Sequence, residues 1–508
     1  MAPRRASWAD GPSSHGSARA GGGTGSVTTI GLTILHTNDM HGRLEAMARL
    51  SSLAGRLRTA TRAAGREVLL WDAGDALDRR DRLCGLSKGA ALARVLNAMG
   101  YDLMTMGNDI LLTYGPAAMA ELVSRLTFPV LAANCRDGQD PPAAGLRESV
   151  LVRLSGGPLL GVVGVTAPWG GLYESFGLRF PDAHATVARV AQELRADGAA
   201  VIVVLSHLGQ SEDVALARSV PGIDLIVGAH SHDLLEHGRE ENGVLIVQAG
   251  QFAEALGVVD LELDARSGSV VARSARIERV DEGEAPDSAV QDAIAEAARE
   301  VDALAARLVG FLLDDLELDD QGECSLGNLA ADALRERMGA EAACLISGQF
   351  HSGLRAGSIT FGDLCRCSSI TANPQLTHVR GTQILEMLER SLDPASRDAR
   401  PHGLRGPKLG WLQISGLRVV YDPRKPVGEQ VAAVFVGDSS LDPQRTYRLA
   451  HTDAETQAES PLLKIEPGQE TRTEVPTITR EFVEDYIRAR SPVGAPPCGR
   501  WIRRGDAA

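Results

Sequence analysis

The chain of 508 residues is 44% hydrophobic and 23% charged, an ordinary globular composition that excludes disordered, collagenous and disulfide-scaffold proteins and allows two or three domains. Its 52 basic and 66 acidic side chains leave a formal charge of −14, which argues against a nucleic-acid partner held by a global positive field. Seven cysteines, an odd number scattered along the chain, make no disulfide framework and point to a reducing compartment.

Residues 1–28 are small, polar and glycine-rich and are expected to form a disordered arm. Arg4 and Arg5 suggest a twin-arginine leader, but no apolar stretch follows them, so a cytoplasmic location is expected. From Gly31 to Arg276, short apolar runs alternate with segments of helical period, the pattern of an α/β domain. Strands are predicted at Leu32–His36, Val68–Asp72, Leu103–Met106, Val130–Ala133, Leu159–Val165, Val201–Leu205, Leu225–Val227, Leu245–Val247 and Val258–Leu263. Between several of them lie amphipathic helices, among them Glu45–Ala64, Lys88–Met99 and Thr186–Ala196. The longest uncharged run, Leu154–Tyr173, holds six glycines and two prolines, so it reads as a strand and a loop, and no membrane partner is expected.

The acidic stretch VDEGEAPDS then breaks the pattern, and Ala289–Leu308, alanine-rich with charges at helical spacing, reads as a helix joining two lobes. A second α/β region follows from about Gly310 to Arg503. The expected organisation is an arm at 1–28, a first domain at 29–280, a linker helix at 281–309 and a second α/β domain at 310–505.

The chemistry is concentrated just past the predicted strands. Asn38, Asp39 and His41 follow the first, Asp72 and Asp75 close the second, Asn108 and Asp109 follow the third, and His207, His230 and His232 follow later ones. In open α/β sheets the carboxyl ends of strands converge on one edge, so side chains far apart in sequence can share one pocket. Oxygen and imidazole donors of this kind suit borderline divalent metals such as Mn, Zn, Fe or Co. They are too many for one tetrahedral ion, and a pair of ions sharing a carboxylate would use them economically. Cys365 and Cys367, one residue apart, are half of a zinc motif without its other half.

The motifs ILHTNDMHGRLE, LLWDAGD, TMGND, VVLSHLG and LIVGAHSHD occur in an order that resembles the 5'-nucleotidase family of calcineurin-like metallophosphoesterases. The resemblance continues through ECSLGNLAADALR, AGSITFGDL and LQISGLRVVYDP in the second lobe. It implies a four-layer α/β/β/α sandwich plus a second α/β domain. It also implies hydrolysis of a small phosphoester, a nucleotide or other phosphomonoester, by water activated at two divalent cations. By the family's pattern one cation would belong to Asp39, His41, Asp75 and His232, and the other to Asp75, Asn108, His207 and His230, with Asp75 shared. Asn38, Asp72 and His36 would support these ligands rather than join them.

Two departures matter. The family's third motif places a histidine, which assists the leaving group, where this chain has Asp109 after Asn108. That leaves open an altered phosphohydrolase or, as a rival, a weak or silent metal-binding or ligand-sensing protein on the same scaffold. In the second lobe the substrate-holding stretch is replaced by Ser347, Gly348, Gln349 and Phe350 ahead of His351 and Arg355. The later glycine-rich stretch reads HTDAETQAESPLL. Trp411 falls where one aromatic of the family's base clamp stands, so Trp411 and Arg355 are the substrate-binding candidates.

Overall fold

The computed structural model describes residues 28–138, 142–169, 171–400, 408–456 and 461–505. The expected arm lies, apart from Thr28, outside the described residues. The chain divides after Val301 into two compact units.

The first unit is built on two six-stranded sheets. In one, Thr29–Thr37 lies between the antiparallel Ala255–Asp264 and the parallel Glu67–Asp72, which leads on to Leu103–Thr105 and Val130–Leu131. In the other, Ala199–His207 lies between the parallel strands Leu159–Thr166 and Leu225–Val227, with Ser149–Arg153 on one flank and Val244–Val247 on the other.

Strand side chains alternate between faces, and here both faces are apolar because both are covered. Val201, Val203 and Leu205 join Leu32, Ile34, Leu69 and Trp71 of the opposite sheet in one core. Their neighbours Ile202 and Val204 pack outward on Val187, Val190 and Leu194 of helix Ala183–Ala196 and on Val214 and Leu216 of helix Gln210–Ser219. Helix Leu44–Ala63 covers the other sheet with Met47, Leu50 and Leu53. The layers therefore run α/β/β/α, as expected.

All nine predicted strands occur; several run on by up to four residues, where polar ends such as Thr37 and His207 still pair, and two stop short, at Thr105 and Leu131. The helix expected from Lys88 starts later. Lys88 (φ 53°) and Gly89 (φ 89°) are left-handed, and a tight turn at Ala90–Leu92 leads into Ala93–Met99. Helix Asp109–Arg125 had escaped the periodicity because Gly115 and Pro116 break its middle. Strand Val270–Arg279 also escaped it, since it is a half-exposed sheet edge rich in arginine, a composition that discourages pairing with other chains. The joining helix spans Ser288–Ala305, and Leu308 belongs instead to strand Leu308–Leu312.

The second unit carries a five-stranded sheet in the order Leu412–Ser415, Ala342–Ile346, Thr446–Thr452, Pro374–Arg380 and Thr471–Thr473. One face packs on helices Ser325–Met338 and Thr479–Arg490, the other on Gly381–Leu392. Among the described residues no helix is long and apolar enough to cross a membrane.

Candidate metal centre

The site grows from the parallel register. Thr37 lies beside Asp72, so the two chains leave their strands together and stay bonded: Asp39 N–H to Gly74 O at 2.9 Å, His41 N–H to Asp75 O at 3.0 Å and Gly42 N–H to Ala76 O at 3.0 Å. From the opposite sheet, the backbone N–H of His230 donates to Asp39 Oδ2 at 2.8 Å. At Gly107 a Cβ would stand 2.1 Å from Asp75 Oδ1, so only glycine lets this turn approach the Asp75 carboxylate.

Backbone strain marks the same residues. Nine described non-glycine residues have positive φ, and five of them are Asp39 (49°), His41 (47°), Asp75 (51°), His230 (74°) and His232 (61°). Each costs on the order of 1–3 kcal/mol and persists where surrounding structure imposes it, which is typical of functional sites.

The side chains form three donor groups, each within 4.8 Å: Asp39, His41 and His232; Asp39, Asp75 and His207; and His41, Asp75 and Asp109. In the first, His41 Nε2 lies 3.2 Å from His232 Nε2, and Asp39 Oδ1 lies 3.4 Å from His232 Nε2 and 3.8 Å from His41 Nε2. Donors bound to one ion at about 2.1 Å stand about 3.4 Å apart in a tetrahedral set, so these spacings fit a single cation. In the second, His207 Nε2 lies 3.3 Å from Asp75 Oδ2.

Asp39 joins the first two groups and Asp75 the last two. Asn108 Oδ1, Asp39 Oδ1 and His207 Nε2 are buried without a hydrogen-bond partner. His230 is half-buried with its ring 5.1 Å from that of His207, and no donor group among the described residues includes it.

Neighbouring residues hold these donors in place. The Ala73 carbonyl accepts from His207 Nδ1 at 2.9 Å, which leaves Nε2 for the site. Asn38 donates to Asp39 Oδ2 and to Gly250 O, and accepts the Ala249 N–H. Asp72 accepts from Thr37 Oγ1 and the Gly74 N–H, and burial pushes its carboxyl up to about 7. His36 is buried against Gly257 away from the donor groups, and burial lowers it to about 3.

Asp109, 3% exposed, turns its Oδ2 to His41 Nδ1 at 3.2 Å and gives its N–H to Asp75 Oδ1 at 3.0 Å.

The electrostatics favour positive charge. Burial alone would depress His207, yet the carboxylates of Asp75 and Asp39 outweigh it and raise the imidazole to about 9. Burial also opposes charge on His41, and Asp109, Asp75 and Asp39 overcome it in the same direction. Carboxylates that raise two imidazoles against the effect of burial would likewise favour cations held among them.

Three residues at the rim were not singled out from the sequence. Phe252 (φ 59°) lies 6.0 Å from the His41 ring and 6.3 Å from that of His232. The exposed Arg43 guanidinium sits 4.6 Å from the Phe252 ring centre, and no carboxylate among the described residues pairs with it. Trp169, 47% exposed, stands 6.3 Å from the His230 ring.

The second unit corrects one expectation. Trp411 is 5% exposed in the core, with Trp501 and Tyr421 against its ring and the Arg397 guanidinium over it, so it packs rather than offering a face to a base. Arg355 is highly exposed and paired to Asp315 at 2.6 Å. The residues at the departed motifs bind one another. Gln349 donates to Thr452 Oγ1 and Glu455 Oε1 and accepts from Thr479 Oγ1, and burial raises Glu455 to about 7. Cys367, at 3.1 Å from the Ser352 carbonyl oxygen, joins no donor group among the described residues, nor does Cys365.

Comparison with known proteins agrees with this architecture. Residues 32–234 match the calcineurin-like phosphoesterase family and residues 308–457 the 5'-nucleotidase C-terminal domain. The chain is 27% identical over 458 residues to an uncharacterized metallophosphoesterase, YunD, of Bacillus subtilis, covering 90% of this chain and 98% of that one. It is 27% identical over 461 residues to a snake venom 5'-nucleotidase of Naja atra, covering 80% and 84%. The crystal structure of a 5'-nucleotidase precursor from Thermus thermophilus shares the fold with a TM-score of 0.51 at 24% identity, covering 94% of this chain and 100% of that one. The chain thus belongs to the 5'-nucleotidase family of calcineurin-like metallophosphoesterases, hydrolases that act on phosphoester bonds.

Proposed function

We propose that this protein hydrolyses a small phosphoester with two divalent cations, one held by Asp39, His41, Asp75 and His232 and the other by Asp75, Asn108, His207 and His230. The observation that carries this reading is the convergence of donor atoms from Asp39, His41, Asp75, His207 and His232 in groups within 4.8 Å, together with Asn108 Oδ1, which is buried without a hydrogen-bond partner. When bound, such cations lower the pKa of an attacking water and offset the charge gathering on phosphoryl oxygens.

The chain's own residues prepare that chemistry. Ala73 keeps the His207 proton on Nδ1, and Asp109 does the same for His41, so both imidazoles turn Nε2 inward. Asp109 in this role is a positioning residue. Arg43 supplies a fixed positive charge at the rim, held over Phe252, and binds the anionic ester as it arrives. Arg43→Ala is therefore expected to raise KM about ten- to a hundredfold with a smaller change in kcat, as steady-state kinetics would reveal.

Protein purified without chelator is expected to carry two metal ions per chain and to turn over p-nitrophenyl phosphate or bis-p-nitrophenyl phosphate with Mn2+ added. Two bound ions without turnover of these esters or of a nucleotide panel would instead support a silent metal-binding protein.

A further inference from the structure

We propose that Trp169 is a specificity-determining residue, an aromatic platform at the mouth of the metal centre that stacks a planar ring in the substrate's leaving group. The proposal rests on the phosphohydrolase reading and adds to it a substrate class, esters whose leaving group carries a nucleobase or an aryl ring.

Large exposed aromatic side chains are rare among the described residues. Among the described residues only Trp169, at 47%, and Phe311, at 46%, are large aromatics counted as exposed, and Phe311 lies in the second unit on strand Leu308–Leu312. Trp169 instead follows the carboxyl end of strand Leu159–Thr166, at the sheet edge that carries His207. Its ring and that of His230 are nearly perpendicular, with centres 6.3 Å apart at 85°. A single perpendicular neighbour can cover at most one face of the half-exposed indole, so the other face is left for another ring.

Described residues before and after Trp169 are tied to neighbouring elements. Ala167 donates its N–H to the His207 carbonyl at 3.0 Å. Tyr173, 1% exposed, stacks on Phe180 with ring centres 4.3 Å apart. Pro168 fixes φ immediately before the tryptophan.

The second unit strengthens the argument. Trp411 is in the core, and Gln349, Thr452 and Glu455 satisfy one another. Ring recognition at those positions would need buried, bonded groups to come apart. Trp169 needs no such rearrangement.

AMP and ribose 5-phosphate share a sugar and a phosphate and differ by the base. Trp169→Ala is expected to lower kcat/KM for AMP about tenfold or more and to leave that for ribose 5-phosphate within about twofold. An equal fall for both esters would mean that Trp169 only props His230, and no change for either would mean that it touches no substrate; each result overturns the proposal.

A binding readout separates this outcome from failure of the hydrolase reading. With Mn2+ present, adenosine but not ribose should shield from acrylamide the fluorescence that distinguishes wild type from Trp169→Ala. If wild type turns over neither these esters nor the p-nitrophenyl esters, the hydrolase reading fails, and shielding still supports the platform while its absence sinks it.

Discussion

Asp75→Asn is expected to abolish tight binding of both metal ions and to lower turnover by about a hundred- to a thousandfold, the equivalent of about 3–4 kcal/mol of transition-state stabilisation. Asp75 is the residue shared by the donor group containing His207 and the one containing His41. An amide in its place loses the charge that balances two cations. The fold should survive, because the amide oxygen can still accept the Asp109 N–H that Asp75 Oδ1 takes at 3.0 Å. Thermal melts with and without Mn2+ separate the two effects. Metal at a hundred times its Kd should stabilise wild type by about 2.7 kcal/mol for each ion bound and leave the melting of Asp75→Asn unmoved. A variant that keeps both ions and its rate would remove Asp75 from the centre.

Asp109→Asn should lower metal affinity about 10- to 100-fold, the usual effect of losing the carboxylate behind a ligating histidine. The expectation follows from the 3.2 Å contact between Asp109 Oδ2 and His41 Nδ1, made by a carboxylate that is almost fully buried. Asp109 also opens helix Asp109–Arg125, so losing its charge from the first turn should cost about 0.3–1 kcal/mol of stability. Metal titration followed by calorimetry measures the first effect and thermal unfolding the second. If Asp109 were instead the proton donor to the leaving group, metal affinity would hold. The rate would then fall about 10²–10⁴-fold, and the alkaline limb of its pH profile would disappear.

The positions of the candidate ligands were legible because each follows an apolar run that reads as a buried strand. Ile34 and Leu35 precede Asp39, Leu69 and Leu70 precede Asp75, and Val203 to Leu205 precede His207. Arg43 was visible within the NDMHGRLE stretch, yet its place over Phe252 depends on a segment some two hundred residues away. Trp169 could have been found by the strand-end rule that drew attention to the histidines, since it follows strand Leu159–Thr166 by three residues. Helix Asp109–Arg125 and edge strand Val270–Arg279 were hidden because their local composition opposes their state and only neighbouring elements impose it.

By itself the sequence determined the alternation of strands and helices, the candidate metal donors and the family to which they point. These are properties of residue order, carried by short-range periodicity and by side-chain chemistry. Only the tertiary structure decided that Asp109 faces His41, that Trp411 lies buried beneath Arg397, and that Gln349 and Glu455 satisfy each other. Each of those outcomes sets one element's side chain against another's across 14 to more than 100 residues, a balance of burial and hydrogen bonding that no local window contains.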